Sequence, residues 1–144
     1  MSEFTENRAF TYDANLASIG ATTKTSTYNG SIIDTGGGYT KGMAVFNVTA
    51  CTYSTNQLYK LCVEGSSDSD FGTAANVVDL AKQEIGAGEV LRAGTAANDE
   101  GTGIYKFPWH NMLGATIYRY IRLSVVISGS SPSITLSAVF GSDD

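Results

Sequence analysis

The chain has 144 residues, a net charge of −5 at pH 7 and only 16% charged residues. A chain of this length forms one domain that buries roughly 70% of its unfolded surface, and it is too short for a protein kinase. Its scattered basic residues exclude the basic footprint of a nucleic-acid-binding protein, and no apolar run is long enough for a membrane span. The 16 glycines and many serines and threonines predict an all-β fold.

The N-terminus predicts an arm ahead of the domain. It reads "MSEFTENR", which is polar, partly acidic and without the apolar core of a secretion signal. We expect residues 1–9 to form this arm and residues 10–144 to form a single β-sandwich domain. We also expect the protein to be made in a cytoplasm without an evident export leader.

Short runs rich in β-branched and aromatic residues follow, separated by clusters of Gly, Ser, Asn and Asp. Such punctuation is typical of strands joined by turns. Strands are predicted over residues 9–13, 31–35, 43–51, 58–64, 77–82, 104–107, 121–127 and 134–140. For the run that begins at residue 77, "VVDLAKQEI", a two-turn helix remains open as the alternative to a strand.

The runs at 43–51 and 58–64 alternate between apolar and polar residues. Joined as a hairpin, they place Phe46 opposite Val63 on a buried face and leave Thr49 on a wetter face. Seven or eight such strands in one small domain predict a two-sheet antiparallel sandwich, most simply a jelly roll.

The last two runs also alternate, and a hairpin between them pairs Ile127 with Ile134. A shift of one residue would bury Arg122, so the inward faces are well specified. If the two strands lie in different sheets, these inward faces remain and only the pairing fails.

The stretch "VEGSSDSDFGTA" contains Asp68 and Asp70 in an arrangement that resembles a metal clamp, and a DFG tripeptide. The other kinase motifs are missing, and no glutamate stands where a calcium loop needs its twelfth ligand. We therefore interpret the stretch as a solvated turn that holds no metal, with Phe71 packed against the edge of the sandwich.

Cys51 and Cys62 are the two cysteines. In the predicted hairpin they stand roughly 13 Å apart, which is too far for a disulfide. We expect two reduced, partly buried thiols.

The segment "KFPWHNML" contains the single histidine, His110. It lacks the nucleophile and acid that a catalytic histidine requires, and the chain has no nucleophile elbow and no phosphate or dinucleotide loop. We therefore expect no enzyme activity and no cofactor. Trp109, with Tyr105 and Phe107, forms either a sugar-stacking platform or part of the core or an interface, and we favour core or interface.

Seven segments of the chain, read in order, form a recognisable series. They are "FTYDANLAS", "SIIDTGGG", "GMAVFNVTAC", "EGSSDSDFG", "VLRAG", "YKFP" and "YRYIRLSVVISGSSPSITLSAVF". In this order they resemble the small jelly-roll capsid cement (decoration) proteins of tailed bacteriophages. The resemblance covers about residues 10–140 and departs from the family in a longer stretch between Asp13 and Ile32 and an insertion at residues 95–103.

The resemblance implies a structural virion protein that binds the outer face of the major capsid protein and stabilises the phage head. It implies a homodimer or homotrimer on capsid symmetry axes, located on the outer capsid surface after synthesis in the host cytoplasm. The alternative is a carbohydrate-binding β-sandwich module. The residues we expect at the interface are Phe4, Arg8, Phe10, Tyr105, Phe107, Trp109 and His110.

Overall fold

The computed structural model describes residues 17–53, 55–87 and 101–141. These residues form antiparallel strands, joined by turns and by one short 3₁₀ helix at Ala74–Asn76. The strands are β1 (Ala17–Lys24), β2 (Tyr28–Asn29), β3 (Ile33–Asp34), β4 (Lys41–Cys51), β5 (Leu58–Ser66), β6 (Val78–Gly86), β7 (Gly103–His110), β8 (Met112–Leu113), β9 (Thr116–Ile117), β10 (Tyr120–Ser128) and β11 (Ile134–Gly141). The predicted all-β class is confirmed.

The long strands form two sheets, which we call sheet A and sheet B. Sheet A has the order β1-β11-β4-β7. Sheet B has the order β2-β10-β5-β6, and β3 pairs with β10 as well. The short strands β8 and β9 form a separate hairpin.

The pairing follows a nested pattern. Since β2 and β3 both pair with β10, they act as one interrupted strand, and the described residues then contain eight principal strands. The first pairs with the eighth, the second with the seventh, the third with the sixth and the fourth with the fifth. Successive pairs alternate between the two sheets, which is the arrangement of a jelly roll and confirms that prediction.

One hydrophobic core lies between the sheets. Phe46 stacks on Phe107 with ring centroids 5.8 Å apart, and Trp109 meets Phe140 edge to face at 5.3 Å. Such contacts add to the free energy gained by removing large aromatic surfaces from water. The strands that contribute inward residues alternate apolar and polar side chains, which fits a sheet with one face on a core. The core residues completely hidden from solvent are Ala44, Phe46, Tyr59, Leu61, Val63, Ile121, Leu123, Val125, Ile134 and Phe140.

Both predicted hairpins are wrong in their pairing. β4 pairs with β11 and β7, whereas β5 pairs with β10 and β6, so Phe46 lies opposite Ala138 and Val63 lies opposite Leu123. The reason is that most consecutive strands of a jelly roll cross from one sheet to the other.

The predicted inward faces of these strands are nevertheless confirmed. Phe46 and Val48 of β4 are buried and Thr49 is exposed. Ala50 is an exception, because it is exposed near the end of β4. Ile127, predicted to lie inward on β10, is half-buried and pairs with Tyr59 rather than with Ile134.

Three weaker predictions have clear outcomes. "VVDLAKQEI" forms β6, a strand and not a helix, and the predicted strand at 104–107 forms the centre of β7. Within 31–35 only Ile33–Asp34 is a strand. The predicted strand at 9–13 and the boundary between arm and domain lie outside the described residues.

The sequence did not predict β1. Its segment "ASIGATTK" has a single large apolar residue, Ile19, which is 1% exposed. The pairing of β1 with β11 is interrupted by two irregularities, so the simple alternation that marks a strand is lost. In the part of the chain that the structure describes, no helix has the length and apolar character needed to cross a membrane.

Candidate interaction surface

Four of the residues that the sequence placed at an interface lie on β7, an edge strand of sheet A. Phe107 and Trp109 point into the core and are 9% and 3% exposed, while Tyr105 is half-buried on the same face. Of the alternatives left open for these aromatics, the burial fits core. A sugar-stacking platform that includes Trp109 would require an exposed ring, and this ring is covered.

His110 lies on the opposite face of β7 and is exposed. Its ring is 5.9 Å from the ring of Tyr39, and its Nδ1 atom accepts a long hydrogen bond of 3.4 Å from the backbone N–H of Met112. His110 therefore lies at the surface, at the end of β7. The other predicted interface residues, Phe4, Arg8 and Phe10, lie outside the described residues.

A buried asparagine organises this corner. The side-chain amide of Asn111 donates to the carbonyl oxygens of Gly38 at 2.9 Å and Tyr118 at 3.1 Å, and its Oδ1 accepts from the backbone N–H of Thr40 at 2.8 Å. Its backbone N–H donates to the carbonyl of Thr40, and its carbonyl accepts from the N–H of Tyr118. The side chain is fully buried, and every one of its polar atoms has a partner.

These bonds hold two surface segments together. One is the loop at residues 35–40, where Gly36 and Gly37 have φ values of 87° and 94°, a conformation that glycine adopts without steric cost. The other is the β8–β9 hairpin, which begins just after Asn111. We call the loop at 35–40, Asn111 and the β8–β9 hairpin the Asn111 platform.

An ion pair fixes the base of the Asn111 platform. Asp34 accepts from Nε and Nη2 of Arg119 at 2.7 Å and 2.9 Å, and it also accepts from the backbone N–H of Gly36. Such a two-point contact favours the ionised carboxylate. The hydrogen bonds from Arg119 and then Gly36 lower the pKa of Asp34 from 3.8 to about 2.

Three apolar side chains of the Asn111 platform are exposed to solvent. Tyr39 is 54% exposed, Leu113 49% and Ile117 40%. Leu113 and Ile117 project from opposite faces of the β8–β9 hairpin, since Leu113 pairs with Thr116 and Ile117 with Met112. Because Asn111 fixes the backbone beneath them, these side chains are presented on an ordered frame.

The opposite end of the sandwich is polar by contrast. Gln57 donates to the carbonyl of Ser130 at 2.8 Å, Asn56 accepts from the N–H of Ser130, and the hydroxyl of Tyr59 bonds to Ser133 at 3.0 Å. None of the exposed large apolar side chains among the described residues lies in the loops at 52–57 or 129–133. Three of the five exposed large apolar side chains among the described residues, Tyr39, Leu113 and Ile117, belong to the Asn111 platform.

The stretch with two aspartates forms the predicted turn. Asp68 accepts from the N–H of Thr73 and from the amide of Asn76, and Asp70 accepts from the N–H of Gly72. Phe71 is 8% exposed and carries the guanidinium of Arg122 4.2 Å above its ring. The carboxylates serve the turn itself, and Phe71 packs against Arg122 on β10, an inner strand of sheet B, rather than against the edge of the sandwich.

One group of side chains on the outer side of sheet B offers possible metal ligands. Atoms of Cys62, Glu64 and Asp79 lie within 4.8 Å of one another. Glu64 is bound to Arg122 and Asp79 to Lys60, each at 2.8 Å. These contacts leave the carboxylates already neutralised.

The thiol of this group is a poor ligand in its present surroundings. Burial, followed by the charges of Glu64 and Asp79, raises the pKa of Cys62 to about 12. A metal needs the thiolate, which is disfavoured here. We interpret the group as a hydrogen-bonded ionic network of sheet B. Cys51 and Cys62 are both free, as predicted, because they lie in different sheets.

Sequence reasoning missed the Asn111 platform. Asn111 follows His110 directly, but two of its partners, Thr40 and Gly38, lie 71 and 73 positions away in the chain, so no local pattern marks it. The sequence offered one signal for this surface, which is Tyr39 directly after three glycines. An aromatic residue in a glycine-rich turn is not part of a strand that would place it in the core.

The chain was compared with protein-family models, curated proteins and solved structures, and none of them matches it.

Proposed function

We propose that this protein is a structural component of a phage head, a decoration protein that binds the outer face of the major capsid protein. The proposal includes a homodimer or homotrimer on the capsid surface and synthesis in the host cytoplasm. It rests on the jelly-roll fold, on the resemblance of the ordered sequence segments and on the Asn111 platform.

The observation that carries the proposal is the group of exposed apolar side chains on the Asn111 platform. Tyr39, Leu113 and Ile117 are each at least 40% exposed, and they stand on a backbone fixed by Asn111. A surface that is ordered before binding loses little conformational entropy when a partner covers it. This arrangement suits a protein that acts by contact rather than by catalysis.

A protein that decorates a shell does not need a high affinity at each single attachment site. A head repeats the same attachment site many times, and linked copies convert separate weak contacts into a strong joint attachment. Each copy therefore needs only a weak contact of its own.

A carbohydrate-binding module is the second candidate, and Tyr39 is the residue that favours it. Its ring is exposed beside His110, in the position of a stacking residue. The burial of Trp109 removes the larger ring from this candidate surface. Binding of the purified protein to a glycan array would favour this second function.

The proposal is tested by adding purified protein to phage heads that lack it and measuring occupancy after sedimentation. We expect saturation at icosahedral stoichiometry and a higher temperature of genome release. Leu113→Asp and Ile117→Asp should each lower occupancy at least tenfold without changing Tm. Ser130→Asp, at the polar end, is the matched control and should bind as the wild type does. If heads bind none of the wild-type protein, or if it is found only on tails, the proposal is wrong.

A further inference from the structure

One short strand of sheet B ends in a residue pair that is chemically reactive in water. Asn29, the last residue of β2, is the only asparagine of the chain that is followed directly by a glycine. In such a pair the backbone nitrogen of the glycine can attack the asparagine side chain, because glycine has no Cβ to crowd the approach. Asn29 is exposed, so water reaches its amide group. The pair is therefore a candidate site of spontaneous deamidation.

The reaction needs water and no other reagent. First, the backbone nitrogen of Gly30 forms a bond to Cγ of Asn29, its proton passes to the departing amide nitrogen, and ammonia leaves a cyclic imide behind. Water then adds to one imide carbonyl and opens the ring. Cleavage between the nitrogen and Cγ leaves aspartate, whereas cleavage between the nitrogen and the backbone carbonyl carbon leaves isoaspartate. In total, one water is consumed and one ammonia is released, with no oxidation or reduction.

Both reacting groups are bound to β10 in the folded protein. The backbone N–H of Gly30 donates a 2.7 Å hydrogen bond to the carbonyl oxygen of Leu123. Asn29 pairs with Ser124, and its Oδ1 atom accepts a 2.6 Å hydrogen bond from the Ser124 hydroxyl. The nitrogen of Gly30 can attack only after it has left Leu123 and can give up its proton. The pairing of β2 with β10 therefore opposes the reaction.

Few contacts hold β2 in place. It has 2 residues and lies at the edge of sheet B, where β10 is its neighbour among the described strands. Two side chains anchor it further. The hydroxyl oxygen of Thr27 accepts from the backbone N–H of Ile127 at 3.0 Å, and Tyr28 packs against the core. Short strands at an edge open at a lower free-energy cost than central strands, so β2 is a segment that detaches while the rest of the domain stays folded.

We propose that Asn29 is a self-modification site that β10 protects, and that it deamidates when β2 detaches. The product hinders the return of the strand. Isoaspartate routes the backbone through its side chain and so shifts the register of all that follows, while aspartate places a new carboxylate beside the hydroxyl of Ser124. A copy of the protein that has reacted therefore keeps a loosened edge at β10. The inference goes beyond the proposed function and does not depend on it.

The test compares the folded with the unfolded chain. Purified protein is incubated in mildly alkaline buffer, with and without denaturing guanidinium chloride, and peptide mapping by mass spectrometry follows residue 29. We expect aspartate and isoaspartate at this position, formed at least about tenfold more slowly in the folded protein, because the strand must open first. In guanidinium chloride, Gly30→Ala should slow the reaction by about tenfold or more, because its Cβ crowds the attacking nitrogen.

A matched pair of variants tests whether opening of β2 controls the rate. Thr27→Ala removes the anchor to Ile127, and Thr116→Ala makes the same change at an exposed threonine of the β8–β9 hairpin. In the folded state we expect Thr27→Ala to react about threefold or more faster than the wild type and Thr116→Ala to react as the wild type does, whereas all should react alike in guanidinium chloride. Equal rates for the folded and unfolded wild type, or for the two folded variants, would overturn the inference. Aspartate without isoaspartate would also overturn it, because the cyclic imide gives both products.

Discussion

The side-chain amide of Asn111 donates a 2.9 Å hydrogen bond to the carbonyl oxygen of Gly38, a residue 73 positions earlier in the chain. With the bond from Thr40, this contact ties a glycine-rich loop to the edge strand of sheet A. The apolar surface that we assign to partner binding depends on a buried polar side chain that never reaches the surface itself.

Replacing this side chain should destabilise the fold. Asn111→Ala leaves the carbonyls of Gly38 and Tyr118 and the N–H of Thr40 without their partner in a buried site. Because each buried unpaired group costs about 1–3 kcal/mol, we expect a loss of about 2–4 kcal/mol in the free energy of unfolding. Denaturant melts measure this loss. Asn47→Ala, at an exposed asparagine of β4, is the control and should change stability by about 0.5 kcal/mol or less.

The two faces of β4 predict opposite responses to a charge. Val48 is 2% exposed and its neighbour Thr49 is exposed. Val48→Asp buries an unpaired carboxylate and should unfold the domain, at a cost of more than about 4 kcal/mol, whereas Thr49→Asp should cost less than about 1 kcal/mol. Circular dichroism melts distinguish the two. Similar melting temperatures for both variants would contradict the assignment of the faces.

The sequence predicted the inward faces because they depend on local alternation. Phe46 and Val48, or Leu123 and Val125, repeat every second residue, and this spacing survives any change of partner strand. Pairing depends instead on contacts between distant parts of the chain. The jelly roll places β11 against β1 and β4, so a rule that pairs neighbours in sequence fails for both predicted hairpins.

The interaction surface was predicted only in part, for a related reason. Alternation along β7 places Tyr105, Phe107 and Trp109 on one face and His110 on the other. The pattern cannot tell which of two amphipathic faces meets the core when both contain apolar residues. Asn111 required the tertiary structure, whereas Tyr39 was marked in the sequence by the three glycines before it.

The ion pair of Asp34 and Arg119 predicts a pH dependence. The folded-state pKa of Asp34, about 2, lies below its ordinary value of 3.8. The pair therefore stabilises the fold above about pH 4, and this stabilisation is lost as the pH falls towards 2. Carboxyl NMR titration should give a pKa near 2 in the wild type and a higher pKa in Arg119→Gln, in which the bond from Gly36 remains. An unchanged titration in Arg119→Gln would contradict the pairing, and the effect on Tm should be small because the pair is exposed.

The thiol of Cys62 should be inert in the native protein. It is fully buried, and its pKa is raised to about 12, so little thiolate is present at neutral pH. A thiol reagent should modify Cys62 only as fast as the domain unfolds, and mass spectrometry of labelled peptides measures this rate. Rapid modification of Cys62 in the folded protein would contradict the assigned burial.

The turn at Asp68 and Asp70 should not require a metal. Both carboxylates accept hydrogen bonds from the turn's own backbone, at Thr73 and Gly72. We expect Tm to be the same with calcium, with magnesium and with a chelator, since only binding to the folded state shifts the unfolding equilibrium. Asp68→Ala should lower Tm equally in all three. A metal-dependent rise in Tm that Asp68→Ala abolishes would show that the turn is a metal site.

The pairing of the first and last described strands can be tested by a new crosslink. The hydroxyls of Thr23 and Thr135 lie 2.8 Å apart across β1 and β11, although the residues stand 112 positions apart in the chain. Directly paired strand residues have side chains close enough for a disulfide. In a Cys51→Ser background, Thr23→Cys with Thr135→Cys should oxidise in the folded state and raise stability by up to about 4 kcal/mol, because the bond closes a long loop of the unfolded chain.

Thr49→Cys with Thr23→Cys is the control, since β4 and β1 are not neighbours in sheet A, and it should remain reduced. Oxidation of the control and not of the paired residues would contradict the strand order on which the jelly-roll assignment depends.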